Sequence, residues 1–153
     1  MSLRPRRSCL YMPGSNARAL EKSRSLPADA LILDLEDAVA PDAKAMARNQ
    51  VVETVKAGGF GRREVVIRVN GLTTPWGAED MVAAAQAAPD AILVPKVSTP
   101  GDVMMAAKAM REAGAPEKTR LWAMMETPLA MLNADSIART AADPASRLAV
   151  FIM

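Results

Sequence analysis

Four charged residues stand out by type and by spacing. Glu36, Arg68, Lys96 and Glu126 follow one another at steps of 32, 28 and 30 residues, and each lies at the end of an apolar run. Asp37 comes next to Glu36, and Asn70 lies two residues after Arg68. Singly, each has a plain reading: Glu36 and Asp37 as solvated helix-entry acids, Arg68 as half of a structural ion pair, Lys96 as a surface lysine, Glu126 as the start of a helix. Together they make one polar cluster of acids, a guanidinium, an amide and an amine. Carboxylates without histidine or cysteine suit a hard, oxygen-seeking cation such as Mg2+. Arginine grips a carboxylate through two parallel hydrogen bonds. A metal and an arginine are what a 2-oxo acid needs, with its carboxylate beside a carbonyl oxygen. The metal would act as a Lewis acid while a carbon–carbon bond breaks or forms.

The stretch ALILDLEDAVAP (Ala30 to Pro41) concentrates this pattern. An apolar run ends in Asp34, Glu36 and Asp37. Carboxylates are costly to bury and repel one another when close. Asp34 and Glu36 fall on one side of a strand by its two-residue period, and Asp37 lies just past it. Their repulsion is tolerable if a divalent cation with its waters and Arg68 sit opposite.

Composition removes other chemistries. The 153 residues contain no histidine and a single cysteine, Cys9. This excludes histidine-based triads and general bases, intramolecular disulfides and Cys-cluster zinc sites. Lys and Arg number 19 against 17 Asp and Glu, a net charge of +2. No basic run carries interleaved aromatics, so a nucleic-acid partner is not expected. The start Arg4-Pro5-Arg6-Arg7 reads as a short solvated arm. No apolar run is long enough to span a membrane and no signal peptide is evident, so a cytoplasmic protein is expected.

The elements that must position the cluster alternate. Strand-like apolar runs cover Ser8–Met12, Ala30–Glu36, Glu64–Asn70, Ala91–Val97, Leu121–Glu126 and Leu148–Met153. They are nearly continuous in apolar character, as suits parallel strands covered on both faces. Helical patterns occupy Asn16–Leu26, Pro41–Ala57, Pro75–Ala87, Pro100–Ala113 and Pro128–Thr140. Thr74-Pro75, Thr99-Pro100 and Thr127-Pro128 each pair a capping hydroxyl with a proline at the first helical position. Gly58-Gly59 and Gly114 mark helix ends.

Strict alternation predicts one parallel α/β domain over residues 1–153. An open doubly wound sheet and a (β/α)8 barrel compete. No G-x-G-x-x-G follows the first strand, which weakens the dinucleotide-binding version. A charged residue recurring at the carboxyl end of successive strands favours the barrel, where those ends converge on one face. The spacing agrees, since roughly 250 residues make eight barrel units.

The segments RRSCLYMPGSNARALEKS, LILDLEDAVAPDAKAMAR, VIRVNG, ILVPKV and METPLAMLN resemble the citrate lyase β-subunit family. That group includes malyl-CoA and citramalyl-CoA lyases and is related to the HpcH/HpaI aldolases. The resemblance covers essentially the whole chain. It implies a TIM-type (β/α)8 barrel and Mg2+-dependent cleavage of a 3-hydroxyacyl-CoA such as citryl-, malyl- or citramalyl-CoA. The products would be a short acyl-CoA and a 2-oxo acid. By motif, Glu126 would be a metal ligand and Arg68 would bind the oxo-acid carboxylate. Asn70 and Lys96 would stand with Arg68 on the substrate side. Glu36 and Asp37 would hold metal-bound water or orient Arg68. Related metal-dependent aldolases often have a histidine near the Asp37 position, so the resemblance does not make Asp37 the base.

In YMPGSN, Gly14 permits a tight turn and Ser15 can cap the helix that follows, whose amino terminus would attract phosphate. The resemblance places coenzyme A contacts at Tyr11, Ser15 and Lys22, whereas Asn16 stands where some relatives have arginine. It further implies a trimer or hexamer, or an acyl-carrier partner subunit. A second metal-ligating aspartate in that family follows the sixth strand. The chain is therefore expected to be a fragment holding about six of the eight strands, short of one metal ligand. Two alternatives remain open: a Schiff-base aldolase using Lys96, and a non-catalytic CoA-binding or assembly subunit.

Overall fold

The computed structural model describes residues 4–153. Six strands form one sheet: β1 (Cys9–Pro13), β2 (Ala30–Asp34), β3 (Glu64–Arg68), β4 (Ala91–Val94), β5 (Arg120–Met124) and β6 (Leu148–Ile152). All five pairings are parallel, and the order in the sheet is the order in the chain. This decides between the two architectures. A doubly wound sheet reverses its strand order at a switch point and carries helices on both faces. An order that never reverses, with crossovers of one hand, keeps every helix on one face, as in a (β/α) barrel.

The core is split accordingly. On the helix side lie residues such as Leu31, Leu33, Val65, Ile67, Ile92, Leu121 and Ala123, packed against Leu20, Val51, Met81, Val103 and Met110 of the helices. On the inner face lie Ala30, Ile32, Val66, Ala91, Leu93 and Trp122, flanked by Tyr11, Met124, Val150 and Ile152. Alternate residues of each strand feed the two clusters. Both sets are apolar, so the strands read as unbroken runs. The indole of Trp122 is fully buried.

Between the strands run α1 (Ala17–Ser23), α2 (Lys44–Ala57), α3 (Gly77–Ala87), α4 (Pro100–Glu112), α5 (Pro128–Leu132) and α6 (Ala134–Arg139). Thr99 caps α4 in a reciprocal box with Asp102, and Thr127 caps α5 through the Ala130 amide, each followed by proline. Gly58 and Gly114 adopt positive φ where α2 and α4 end.

The structure differs from the sequence reading at several junctions. Thr74 does not cap α3. Its hydroxyl donates to the Gly71 carbonyl at 2.7 Å, and the helix starts only at Gly77. Ser15 does not cap α1; the Asn16 side chain accepts from the Ala19 amide instead. Gly14 is needed for space rather than for a left-handed turn. A Cβ there would sit 2.6 Å from the Asp34 carbonyl oxygen and 2.9 Å from Val51 Cγ2. The pattern expected as one helix over Pro128–Thr140 divides at Asn133, whose amide reaches across to the Ser98 carbonyl at 2.9 Å. The strands also stop short: β2 ends at Asp34, β4 at Val94 and β5 at Met124. Glu36, Lys96 and Glu126 each lie two residues beyond a strand end.

Candidate functional site

The carboxyl ends of β2 to β5 bring the charged residues together. Arg68, the last residue of β3, is the hub. Its Nε donates to Asp34 Oδ1 and its Nη2 to Asp34 Oδ2, both at 2.6 Å. Its Nη1 lies 3.1 Å from Glu36 Oε2 and 3.3 Å from Asp37 Oδ2. The guanidinium stacks over the Tyr11 ring at 5.1 Å. Burial works against the charge, but the hydrogen bonds Arg68 donates to Asp34 and the fields of Asp34, Glu36 and Asp37 override it and make Arg68 more basic than usual.

Glu36 is buried among these groups. Its Oε1 pairs with Lys96 Nζ at 3.2 Å. Its Oε2, although close to Arg68, has no hydrogen-bond partner. Burial pushes the Glu36 carboxyl above its ordinary pKa, and Lys96 and Arg68 hold the rise back. Lys96 serves two acids. Its ammonium meets Glu36, while its backbone amide donates to Glu126 Oε1 at 2.8 Å. It does so from a left-handed backbone with φ 55°, a conformation that costs a non-glycine residue on the order of 1–3 kcal/mol and gathers at functional sites. The Glu36 hydrogen bond and charge make the Lys96 ammonium more basic. Glu126 is exposed, and its field reaches Tyr11.

The structure thus gathers Tyr11, Glu36, Asp37, Arg68, Lys96 and Glu126 at one rim. It sets Asn70 apart from the open side. The Asn70 Oδ1 accepts from Lys44 Nζ at 2.8 Å, and its amide donates to Leu35 O and Asp80 Oδ2. Ser15 and Lys22 belong to the turn before α1 and to α1 itself, outside the sheet, whereas Tyr11 faces the inner cluster. The Tyr11 hydroxyl is buried with no hydrogen-bond partner, and burial raises its pKa. α1 has only seven residues, and Asn16 already uses one of its amides.

Three further residues shape the site; Lys44 and Asp80 carry no role in the sequence reading, and Asp34 enters it only as one of the acids set opposite Arg68. Asp34 is fully buried. Besides gripping Arg68 it accepts from the amides of Glu36 and Ala38 at 2.8 and 3.0 Å, so it also folds the turn that presents Glu36 and Asp37. Lys44 sends a buried ammonium to the carbonyls of Leu35 and Glu36 at 2.8 and 2.6 Å and lies over the Trp76 ring. Asp80 links Asn70 to Arg48. The signal for Asp34 was its two-residue spacing from Glu36. Lys44 and Asp80 lie within helices, where nothing in the sequence separates them from solvated charges.

Four carboxylates (Asp34, Glu36, Asp37 and Glu126) face two cations, Arg68 and Lys96. With the buried ammonium of Lys44 nearby, the acids still outnumber the cations by one, and this excess with an all-oxygen donor set matches a hard divalent cation. Among the described residues no three His, Cys, Asp or Glu side chains converge closely enough to hold a metal by themselves. Glu126 and the unpartnered oxygen of Glu36 are the donors on offer. Waters and substrate oxygens would have to supply others, which is usual for Mg2+.

Comparison with known proteins places this rim in context. The family model described as HpcH/HpaI aldolase/citrate lyase matches residues 7–151. The chain is 50% identical over 134 residues to a protein named (3S)-malyl-CoA thioesterase from Cereibacter sphaeroides, a match covering 88% of this chain and 45% of that one. It is 37% identical over 140 residues to the citrate lyase subunit beta of Escherichia coli, covering 88% and 46%. The chain therefore spans less than half the length of either relative. The structure of protein CitE from Mycobacterium tuberculosis, in complex with magnesium, acetoacetate and coenzyme A, superimposes with a TM-score of 0.73 at 29% identity, over 97% of this chain and 49% of that one.

Proposed function

The chain belongs to the HpcH/HpaI aldolase/citrate lyase family, and from that premise we propose that its rim serves Mg2+-dependent carbon–carbon cleavage of a 3-hydroxyacyl-CoA to a short acyl-CoA and a 2-oxo acid. The observation that carries this reading is the buried, unpartnered Oε2 of Glu36, held beside Arg68 within a rim that carries excess negative charge.

Arg68 binds the carboxylate of the oxo acid. Asp34 already occupies its Nε–Nη2 edge, so the substrate meets the Nη1 end and takes the place of the exposed Asp37. Glu36 Oε2 takes the proton from the 3-hydroxyl as the bond between C2 and C3 breaks. The electron pair of that bond passes to the thioester as an enolate, which a proton then quenches to give the acyl-CoA. Lys96 keeps Glu36 in place and steadies Glu126 through its backbone amide. Glu126 would hold Mg2+, and Glu36 and Asp37 its waters; when bound there, the ion would supply Lewis acidity at the oxo-acid carbonyl oxygen. Tyr11 supports Arg68 by stacking, and coenzyme A contacts from Ser15 and Lys22 belong to the same proposal, as do a trimeric or hexameric assembly and an acyl-carrier partner. Among the described residues no helix is long and apolar enough to cross a membrane.

A Schiff-base role for Lys96 fits less well. Such a lysine must lose its proton to attack a carbonyl, and here the Glu36 carboxylate makes it more basic. A second reading does have support. The relative at 50% identity is named a thioesterase, and the same rim can direct water at the thioester carbonyl instead.

Incubation with malyl-, citramalyl- and citryl-CoA, with and without Mg2+, tests both. Carbon–carbon cleavage releases acetyl-CoA and an oxo acid, while hydrolysis releases free CoA and the intact hydroxy acid. Calorimetric titration with Mg2+ and an oxo acid reads the site even without turnover, and Glu126→Gln should weaken Mg2+ binding at least tenfold. Absence of both products and Mg2+-dependent oxo-acid binding would overturn the proposal.

A further inference from the structure

The arginine-rich start, which the sequence suggests is a solvated arm, is pinned to the sheet by ion pairs while Arg4 and Arg7 stay exposed. Arg6 spans Glu64 through bonds of 2.5 and 2.7 Å and lies over the Trp122 ring at 5.1 Å. Arg7 binds Asp29 through its backbone amide at 2.8 Å and its guanidinium at 2.9 and 3.2 Å. These contacts bring Arg4 and Arg7 beside Arg62 and Arg63, which precede β3. The four arginines surround a cleft of about 540 Å³ in which Asp29 is the single acid. It lies at the amino ends of β1, β2 and β3, the opposite end of the sheet from Glu36, Lys96 and Glu126.

The charge of this cleft is incompletely neutralised, and at Arg7 and Arg63 it is also held in place. Asp29 is matched to Arg7, and Glu64 to Arg6. Arg63 spends Nε and Nη1 on the carbonyls of Leu26 and Phe60 at 2.6 and 3.0 Å, which anchors the guanidinium without cancelling its charge. Arg4 donates to the Arg62 carbonyl and its Nε lies 3.7 Å from Glu64 Oε2, an acid it shares with Arg6. The Arg62 guanidinium has no acidic partner among the described residues. Anchored guanidiniums have little rotamer freedom left to lose on binding, and their forks match oxyanions. The volume suits a small molecule.

We propose that this cleft is a second binding site, separate from the rim, for a small molecule carrying two or more adjacent oxyanion groups, as a diphosphate or a tricarboxylate does. The proposal does not depend on the reaction assigned to the rim. Its recognition elements are the free fork of Arg62, the exposed edge of Arg4 and the fixed charge of Arg63.

Calorimetric titration of the purified protein with pyrophosphate, and separately with citrate, at constant ionic strength and without Mg2+, tests this. Saturable binding is expected, at least tenfold weaker in the Arg4→Ala/Arg62→Ala variant. Arg4 meets the buried Glu64 only at 3.7 Å, where Arg6 already spans that carboxylate, and an unchanged melting temperature confirms an intact fold. Glu126→Gln, at the other end of the sheet, should bind pyrophosphate as the unaltered protein does. Whichever anion binds more tightly identifies the oxyanion type. Unchanged pyrophosphate affinity in the double arginine variant, loss of binding in Glu126→Gln, or abolition by chloride at matched ionic strength would overturn the site.

Discussion

Arg68 and Asp34 are joined edge to edge, Nε to Oδ1 and Nη2 to Oδ2, each at 2.6 Å, between the last residues of two neighbouring strands. Both side chains are almost wholly removed from water. The pair ties the hub of the rim to the strand that carries Glu36 into place. Removing one partner of such a buried pair leaves an uncompensated charge, whereas exchanging both for apolar residues is often tolerated. Asp34→Ala should therefore lose about 3–5 kcal/mol of stability. Asp34→Leu with Arg68→Met should recover part of that loss in urea unfolding, since Arg68→Met also leaves the buried Glu36 with Lys96 as its remaining cation. Equal losses in the single and double variants would show that the turn amides bound by Asp34, rather than its pairing with Arg68, set the cost.

Gly14 approaches the same strand. Its amide donates to the Asp34 carbonyl at 2.8 Å, and an added methyl would lie 2.6 Å from that oxygen. Gly14→Ala should cost about 1–3 kcal/mol, as overpacking does. Gly101→Ala is the control, since its nearest neighbour would be Thr99 Oγ1 at an ordinary 3.5 Å. That change should be neutral or gain up to about 1 kcal/mol. Thermal melts of the two variants decide it, and equal melting temperatures would count against the close approach at Gly14.

At the opposite end of the sheet, the hydrogen bonds from Arg7 hold the Asp29 carboxyl down to a pKa of about 2. A depressed acid contributes stability that is complete above its unfolded pKa of about 3.9. That contribution disappears as pH falls through about 2. A carbon-13 titration of the Asp29 carboxyl should show its midpoint near 2, and Arg7→Ala should return it toward the ordinary range. An ordinary midpoint in the unaltered protein would rule out the pairing in solution.

The strands and the rim were legible in the sequence for physical reasons. β2, β3 and β4 are buried on both faces, so their apolar runs are nearly unbroken, and the charges that follow them mark where the chain leaves the sheet. The strand order then brings residues about thirty positions apart to one edge. What stayed hidden was set by contacts across the fold. Lys44 lies in an ordinary-looking helix, and only the position of the carbonyls of Leu35 and Glu36 shows that its ammonium is buried. Thr74-Pro75 has the composition of a cap, yet the turn from Gly71 to Gly77 consumes the hydroxyl. Asn70 looks like a rim amide, but Lys44 and Asp80 engage both ends of it.

The unbroken strand order also has a kinetic consequence. Among these six strands each after the first pairs with the one that precedes it in the chain, so none of these five pairings must wait for a distant segment to be made. During synthesis a new βα unit can dock on the one already formed, in the direction of translation. Each docking closes a loop of only one such unit, which keeps its entropic cost small. The Arg68–Asp34 link then forms as soon as the third strand docks on the second, and the rim is assembled one residue at a time as later strands arrive.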